Sequence, residues 1–256
     1  MLIADKGLIK KNFSRHAGCY DLYSEIQDMT AKELVLRIGA QPACRILDIG
    51  CGTGNYTKLL REKFPAAAIT AVDISKDMIE IAKDKLPREN LEFIVGDGEN
   101  IKLKRHFDLI TSNASLHWFR DIKKALCTYR ELLGEGGLIL FSAFGRLTFC
   151  ELNSSLKESL GTDMAITADT FAGKEEMENI LRSIFKESSA EEIIYKKQYA
   201  SLLDLLNSIK YTGVRGIGVA KRNFWTAGAV SLVEKAYAAK FKGITATYQV
   251  FFCEAR

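Results

Sequence analysis

The segment Asp48-Ile49-Gly50-Cys51-Gly52-Thr53-Gly54-Asn55 constrains this chain most, because it sets three alternate glycines directly behind an apolar run. Arg45–Ile49 (RILDI) reads as a strand and Asn55–Lys63 as the helix that follows it. Glycines between them permit a tight strand-to-helix turn and let a ligand approach bare backbone. A turn of that kind belongs to a parallel sheet with crossover helices, and the next hundred residues repeat the theme. Residues 69–72 (ITAV) form a second strand ending at Asp73, and Ser75 caps a helix over 76–86 that stops before Pro87. Leu91–Val95 is a third strand, followed by Gly96-Asp97-Gly98. Phe107–Ser112 is a fourth, residues 122–133 a helix closed by Gly134, and residues 137–144 a fifth strand.

Beyond Phe144 the alternation loosens. Residues 145–171 carry Ser, Thr, Asn and Gly, as an irregular or helical insertion over the sheet would. Residues 174–185 and 228–242 have helical patterns, and residues 190–199 and 244–252 alternate as strands. Residues 201–225 hold a helix and then the glycine-rich run from Tyr211 to Gly218. Ahead of the sheet, residues 13–39 read as one or two helices placed to fold over a ligand. The expectation is one α/β domain over 1–256 with a mostly parallel seven-stranded sheet and helices on both faces. Residues 1–40 form a helical lid, and residues 145–175 and 200–228 are substrate-side insertions.

Composition narrows the function classes. At 256 residues, with 47% hydrophobic and 27% charged residues, the chain has the balance of a soluble globular domain. No apolar run approaches the ~20 residues that cross a bilayer, and the N-terminus lacks an apolar signal core, so a cytoplasmic protein is expected. The six cysteines form no Cys-x-x-Cys pair and have no His at zinc-ligand spacing; they read as reduced thiols, with no support for a metal. A formal charge of +4 is too mild for a general nucleic-acid binder. The basic groups Lys102/Lys104/Arg105, Lys123/Lys124, Lys196/Lys197 and Lys221/Arg222 could together favour an acidic protein partner.

The acids near the glycines indicate the ligand. Gly54 is not at the third-glycine position of the dinucleotide pattern G-x-G-x-x-G. Asp48, inside the strand before the turn, would repel a pyrophosphate but suits a ligand bearing an ammonium group, which favours S-adenosylmethionine over NAD. Asp73 lies 19 residues beyond Gly54, at a strand end where a carboxylate can accept ribose hydroxyls. Asp97 follows the third strand, where it could accept an adenine amino group. Ligands of open α/β sheets sit at these carboxyl ends.

With these residues the sequence from about 45 to 144 resembles the class I S-adenosylmethionine-dependent methyltransferases, whose fold is Rossmann-like. The resemblance implies that Asp48, Gly50, Cys51, Gly52 and Gly54 form the cofactor loop and that Asp73, with Ile74, holds the ribose. It places Asp97, Gly98 and Glu99 near the adenine and Asn113 facing the methionine part. Residues 12–21 (NFSRHAGCYD) are similar to an opening, FxRxAxxYD, shared with quinone and trans-aconitate methyltransferases. Together with LHWFRD at 116–121, SAFGRLTFCEL at 142–152 and KYTGVRG at 210–216, it resembles the malonyl-acyl-carrier-protein O-methyltransferases, which start the pimeloyl chain of biotin.

That resemblance implies esterification of the free carboxylate of a malonyl thioester, on acyl-carrier protein or coenzyme A, releasing S-adenosylhomocysteine. A carboxylate is ionised at neutral pH, so no general base is required. Catalysis would rest on in-line positioning and on stripping water from the nucleophile. The candidates are Tyr20 as a lid residue, Arg15 near the cofactor carboxylate or the substrate, Tyr211 as a hydrogen-bond donor and Arg215 as a carboxylate clamp. His117 and Trp118 would pack or hydrogen-bond at the pocket wall, His117 gaining the role of base only with a carbon acceptor. Lys221 and Arg222 are docking points for an acidic carrier protein. Another small acid, a quinone precursor, or binding of S-adenosylmethionine without turnover are the alternatives.

Overall fold

The computed structural model describes residues 5–40, 42–161, 166–212 and 226–256. Its framework is one sheet of seven strands: β1 (Arg45–Ile49), β2 (Ala68–Asp73), β3 (Leu91–Val95), β4 (Phe107–Ser112), β5 (Leu133–Phe144), β6 (Ser188–Tyr199) and β7 (Ile244–Ala255). Their order across the sheet is β3-β2-β1-β4-β5-β7-β6. The first five are parallel, and β7 runs antiparallel between β5 and β6. From β1 the chain winds outward first on one side and then on the other. That reversal opens a crevice at the carboxyl ends of β1 and β4, where ligands of such sheets bind.

The central strands are apolar because helices cover both faces. Ile46, Leu47 and Ile49 of β1 are fully buried, as are Ile69, Ala71 and Val72 of β2. The helices on this framework are α1 (Lys6–His16), α2 (Glu25–Arg37), α3 (Asn55–Lys63), α4 (Lys76–Lys85), α5 (Ile122–Leu132), α6 (Cys150–Leu160), α7 (Lys174–Arg182), α8 (Leu202–Tyr211) and α9 (Ala227–Phe241). Local chemistry sets several of their starts. The Ser75 hydroxyl accepts the Met78 N–H at 3.3 Å, and the Asp121 carboxylate accepts the Lys124 N–H at 2.9 Å. Gly54 begins α3 from a left-handed conformation, φ 86°.

The largest departures from the sequence reading are at the fifth strand and the N-terminal segment, while residues 145–171 take the helical alternative. The fifth strand starts at Leu133 rather than residue 137, because the chain passes from α5 straight into extended backbone, with no glycine-capped turn at Gly134. The N-terminal segment begins at Lys6 and is three pieces: α1, a 3₁₀ turn over Ala17–Leu22, and α2. Within 145–171 a regular helix, α6, packs against α9 and β7, burying Leu152 and Leu156. No helix among the described residues is long and apolar enough to cross a membrane.

Candidate cofactor and acceptor cleft

The loops at the carboxyl edge are stitched together before any ligand is considered. The glycine turn closes with the N–H groups of Gly50 and Cys51 donating to the Val72 carbonyl at 2.7 and 3.0 Å. Gly50 has φ 71°, and a Cβ there would lie 2.1 Å from Ser115 Oγ, so the position requires glycine. Gly52 has φ 54°, but a Cβ there would meet nothing within 4 Å; its backbone lies bare to the cleft. The loop after β3 is fixed by the buried Tyr129 hydroxyl, which donates to the Gly98 carbonyl at 2.9 Å. Glu99 ties that loop to the one after β4, accepting the N–H groups of Arg120 and Asp121 at 3.1 and 2.8 Å.

Between these loops and α1 lies an open cleft of about 720 Å³, a volume that includes solvent at its mouth. Tyr20, Gly50, Gly52, Asp73, Ile74, Asp97, Gly98 and Asn113, all expected from the sequence, line it. Asp73 accepts the Gly52 N–H at 2.9 Å through one carboxylate oxygen and the Ser75 N–H at 2.8 Å through the other. Burial raises its pKa to about 6 against those two bonds. Each oxygen keeps a free lone pair, which suits a pair of ribose hydroxyls. Asn113 is a node: its amide oxygen accepts from Thr30 at 2.7 Å and Ser142 at 2.8 Å, while its amide nitrogen donates to the Gln27 carbonyl at 2.9 Å. It thereby anchors α2 to the end of β4.

The Asp97 end of the cleft holds a residue the sequence reading passed over. The Lys6 ammonium donates to both oxygens of Asp97, at 2.7 and 2.6 Å, and also pairs with Glu99. Asp97 is held below the usual carboxylate range by Lys6, Asn100 and the Glu99 N–H, which together outweigh its desolvation. An amino group arriving at Asp97 therefore meets a fully ionised acceptor already engaged by Lys6. An i, i+3, i+7 pattern at Lys6, Ile9 and Phe13, all lining the cleft, was the available signal.

Another part of the lining is aromatic. Phe13 packs edge-on to Trp118, with ring centroids 6.1 Å apart, and 6.3 Å from Tyr20. Trp118 in turn meets the edge of Phe171 at 5.6 Å. Burial and the carboxylates of Asp28, Asp73 and Asp21 push the Tyr20 phenol far above its ordinary pKa, so it stays protonated.

Other expected residues lie elsewhere. Asp48 is fully buried beneath the turn rather than facing the cleft; one oxygen accepts from Thr57 at 2.6 Å, the other is unpaired, and burial lifts its pKa to about 7. Its negative charge is thus not offered to a ligand ammonium. Cys51 is buried, and Gly54 faces Leu86 and Ala82 of the α4 region. Glu99 stands behind the cleft wall. Arg15 is exposed and off the wall.

His117 sits behind Trp118 among Phe144 and Phe171, its ring centroid 5.0 and 4.7 Å from theirs. Its Nδ1 accepts the Phe144 N–H at 3.3 Å, so the proton is on Nε2, which is buried without a partner. Desolvation depresses its pKa to about 3. Tyr211 is stacked on Tyr23 at 4.6 Å and edged by His16 at 5.1 Å, outside the cleft. Arg215, Lys221 and Arg222 lie outside the described residues.

The bare glycine backbone, the half-open Asp73 carboxylate and the anionic edge of the cleft fit S-adenosylmethionine, whose sulfonium carries positive charge. When bound, it supplies an activated methyl group. The sequence matches the Methyltransferase domain family over residues 47–141. Malonyl-acyl-carrier-protein O-methyltransferase 1 of Ilyobacter polytropus is 35% identical over 243 residues, covering 94% of this chain and 90% of its own. The malonyl-acyl-carrier-protein O-methyltransferase of Priestia megaterium is 36% identical over 234 residues, covering 86% and 83%. Among solved structures, the YcgJ protein of Bacillus subtilis superposes with a TM-score of 0.62 at 16% identity, over 88% of this chain and 97% of that one. Phosphoethanolamine N-methyltransferase 2 of Haemonchus contortus gives 0.61 at 17% identity, over 97% of this chain and 60% of that one, and shares the fold. The fold, the cleft and the near full-length relatives agree: this chain belongs to the malonyl-acyl-carrier-protein O-methyltransferase family and is an S-adenosylmethionine-dependent methyltransferase.

Proposed function

We propose that the chain methylates the free carboxylate of a malonyl thioester, carried on acyl-carrier protein or on coenzyme A. The product is the methyl ester that enters pimeloyl synthesis for biotin, in the cytoplasm. One observation carries this reading beyond the relatives' names: among the described residues, the acceptor-side wall of the cleft offers no group able to remove a proton at neutral pH. His117 is off the wall and too weak a base, and Tyr20 is held protonated. Asp73 and Asp97 are committed at the cofactor end. Such a wall suits a nucleophile that arrives already ionised, as a carboxylate with a reference pKa of about 4 does.

In this reading the work of the protein is positional. Asp73 and the glycine turn hold the ribose end, Asp97 and Gly98 receive the adenine, and Asn113 fixes the floor under the methionine part. Tyr20 donates its phenol proton into the cleft. Phe13, Tyr20 and Trp118 exclude water from the entering carboxylate, which raises its nucleophilicity. Hiding the malonyl charge as an ester would let enzymes that handle apolar chains accept it.

The test is methyl transfer from labelled S-adenosylmethionine to malonyl-acyl-carrier protein, malonyl-coenzyme A and trans-aconitate, each alone. Transfer to a malonyl thioester and none to trans-aconitate is expected. Label on trans-aconitate alone, or on no acceptor, would overturn the reading.

A further inference from the structure

We infer that Asp21 is a positioning residue: its carboxylate latches the N-terminal lid onto the glycine turn, so that Tyr20 and the cofactor loop are set in place as one unit. The inference rests on the chain being an S-adenosylmethionine-dependent methyltransferase and not on the malonyl acceptor. Tyr20 and Asp21 are consecutive residues of the 3₁₀ turn over Ala17–Leu22. Tyr20 faces the cleft; Asp21 does not line it. Its carboxylate instead gathers three parts of the cofactor framework that are distant in sequence. One oxygen accepts from the Thr53 hydroxyl at 2.6 Å and from the Asn55 amide at 3.2 Å, and the other pairs with the Lys85 ammonium.

Each partner has a defined place. Thr53 stands between Gly52 and Gly54 and is 1% exposed, so its hydroxyl has no access to water as a substitute partner. Asn55 is the first residue of α3, and its amide also donates to Asp28 of α2 at 3.2 Å while its oxygen accepts from Lys85 at 3.0 Å. Lys85 ends α4, which packs against both α1 and the 3₁₀ turn. The lid and the loop thus share a charge-assisted network, in which pairs reinforce one another. A lid held only by its apolar face could slide along the cleft; a carboxylate with a buried partner fixes its register. Lys85 is about a third exposed, so the Thr53 bond carries most of the effect.

Calorimetric titration with S-adenosylhomocysteine tests the latch without any acceptor. Asp21→Ala is expected to weaken binding about tenfold, the value of one charge-assisted bond together with a screened ion pair, while the melting temperature of the ligand-free protein stays within about 2 °C. Thr53→Val should produce most of the loss seen in Asp21→Ala, and Thr53→Ser, which keeps the hydroxyl, should bind as the parent does. The Asp21→Ala/Thr53→Val double variant should lose no more than Asp21→Ala alone, because the Thr53 bond is already broken in that variant. In turnover, Asp21→Ala should raise the KM for S-adenosylmethionine about tenfold and leave kcat within about threefold. Unchanged affinity in Asp21→Ala, additive losses in the double variant, or a weakening matched by a fall in melting temperature would each overturn the inference.

Discussion

The two walls of the cleft are built on different principles. The cofactor wall is polar and directional: Asp73, Asp97 and Asn113 each make at least two hydrogen bonds that fix the angle of the side chain. The aromatic part of the lining is Tyr20, Phe13 and Trp118 in ring contact, backed from behind by Phe171 and His117. A hydrogen-bonded wall recognises one ligand and tolerates little change. An aromatic wall supplies shape and dryness, and its composition can drift while the space it encloses persists. In the proposed binding mode, the polar residues select the cofactor and the aromatic ones shape the space for the acceptor.

The largest expected effect tests the cofactor wall. Gly50→Ala would force a Cβ to within 2.1 Å of Ser115 Oγ at a φ of 71°. The clash and the left-handed strain together should reduce affinity for S-adenosylhomocysteine by about 100-fold or more, measured by calorimetry. Gly52→Ala carries the φ penalty without that clash, so it should retain more of its fold stability by thermal melting. Equal losses at both positions would remove the distinction between a glycine that shapes the turn and one that bares it.

Next in size is Asp73→Ala, which leaves two backbone N–H groups without an acceptor and, in the proposed binding mode, the ribose hydroxyls as well. Affinity for S-adenosylmethionine should fall by about 1–3 kcal/mol by calorimetry. On the aromatic wall, Trp118→Ala should behave oppositely, raising the acceptor KM by about tenfold while S-adenosylhomocysteine affinity changes by less than about threefold. Parallel losses for cofactor and acceptor in Trp118→Ala would mean that the two walls are not separate in function.

This division also explains what the sequence displayed. The cofactor half was legible because its chemistry depends on order along the chain. A strand must end at Asp73, a turn must contain Gly50 and Gly52, and these requirements leave short motifs. Asp48 was readable as part of that motif and misleading as to role, because strand alternation does not say which side of a glycine turn a side chain takes. Here it points beneath α3, to Thr57. Lys6 and Asp21 left weaker traces: their partners, Asp97 and Lys85, are 91 and 64 residues away. Tyr211 fitted a motif, yet the fold stacks it on Tyr23, a pairing that no local pattern encodes. Aromatic packing of this kind is a property of tertiary assembly rather than of spacing.

The smallest effect concerns stability, and it separates the walls by sign. Asp48 beneath the cofactor wall has its pKa raised to about 7 by burial, so its neutral form is the favoured one in the fold. Its contribution is fully present at low pH and is lost as pH rises through about 7. His117 behind the aromatic wall has its pKa lowered to about 3, so its neutral form is again favoured, but now by high pH. Its contribution is fully present above the unfolded value of about 6.5 and drains away as pH falls toward 3. Between pH 7.5 and 5 that loss is about 1–2 kcal/mol for a ring this enclosed. His117→Leu removes the titration, at the cost of leaving the Phe144 N–H without its acceptor at every pH. Denaturant unfolding at pH 7.5 and pH 5 should therefore show a variant less stable than the parent at the higher pH and nearly equal to it at the lower. The carboxylate contributions cancel in that comparison, since Asp48 and Asp73 are present in both proteins. A difference between variant and parent that stays constant with pH would show His117 to be open to water, and the aromatic wall would then not be the dry surface that an ionised acceptor needs.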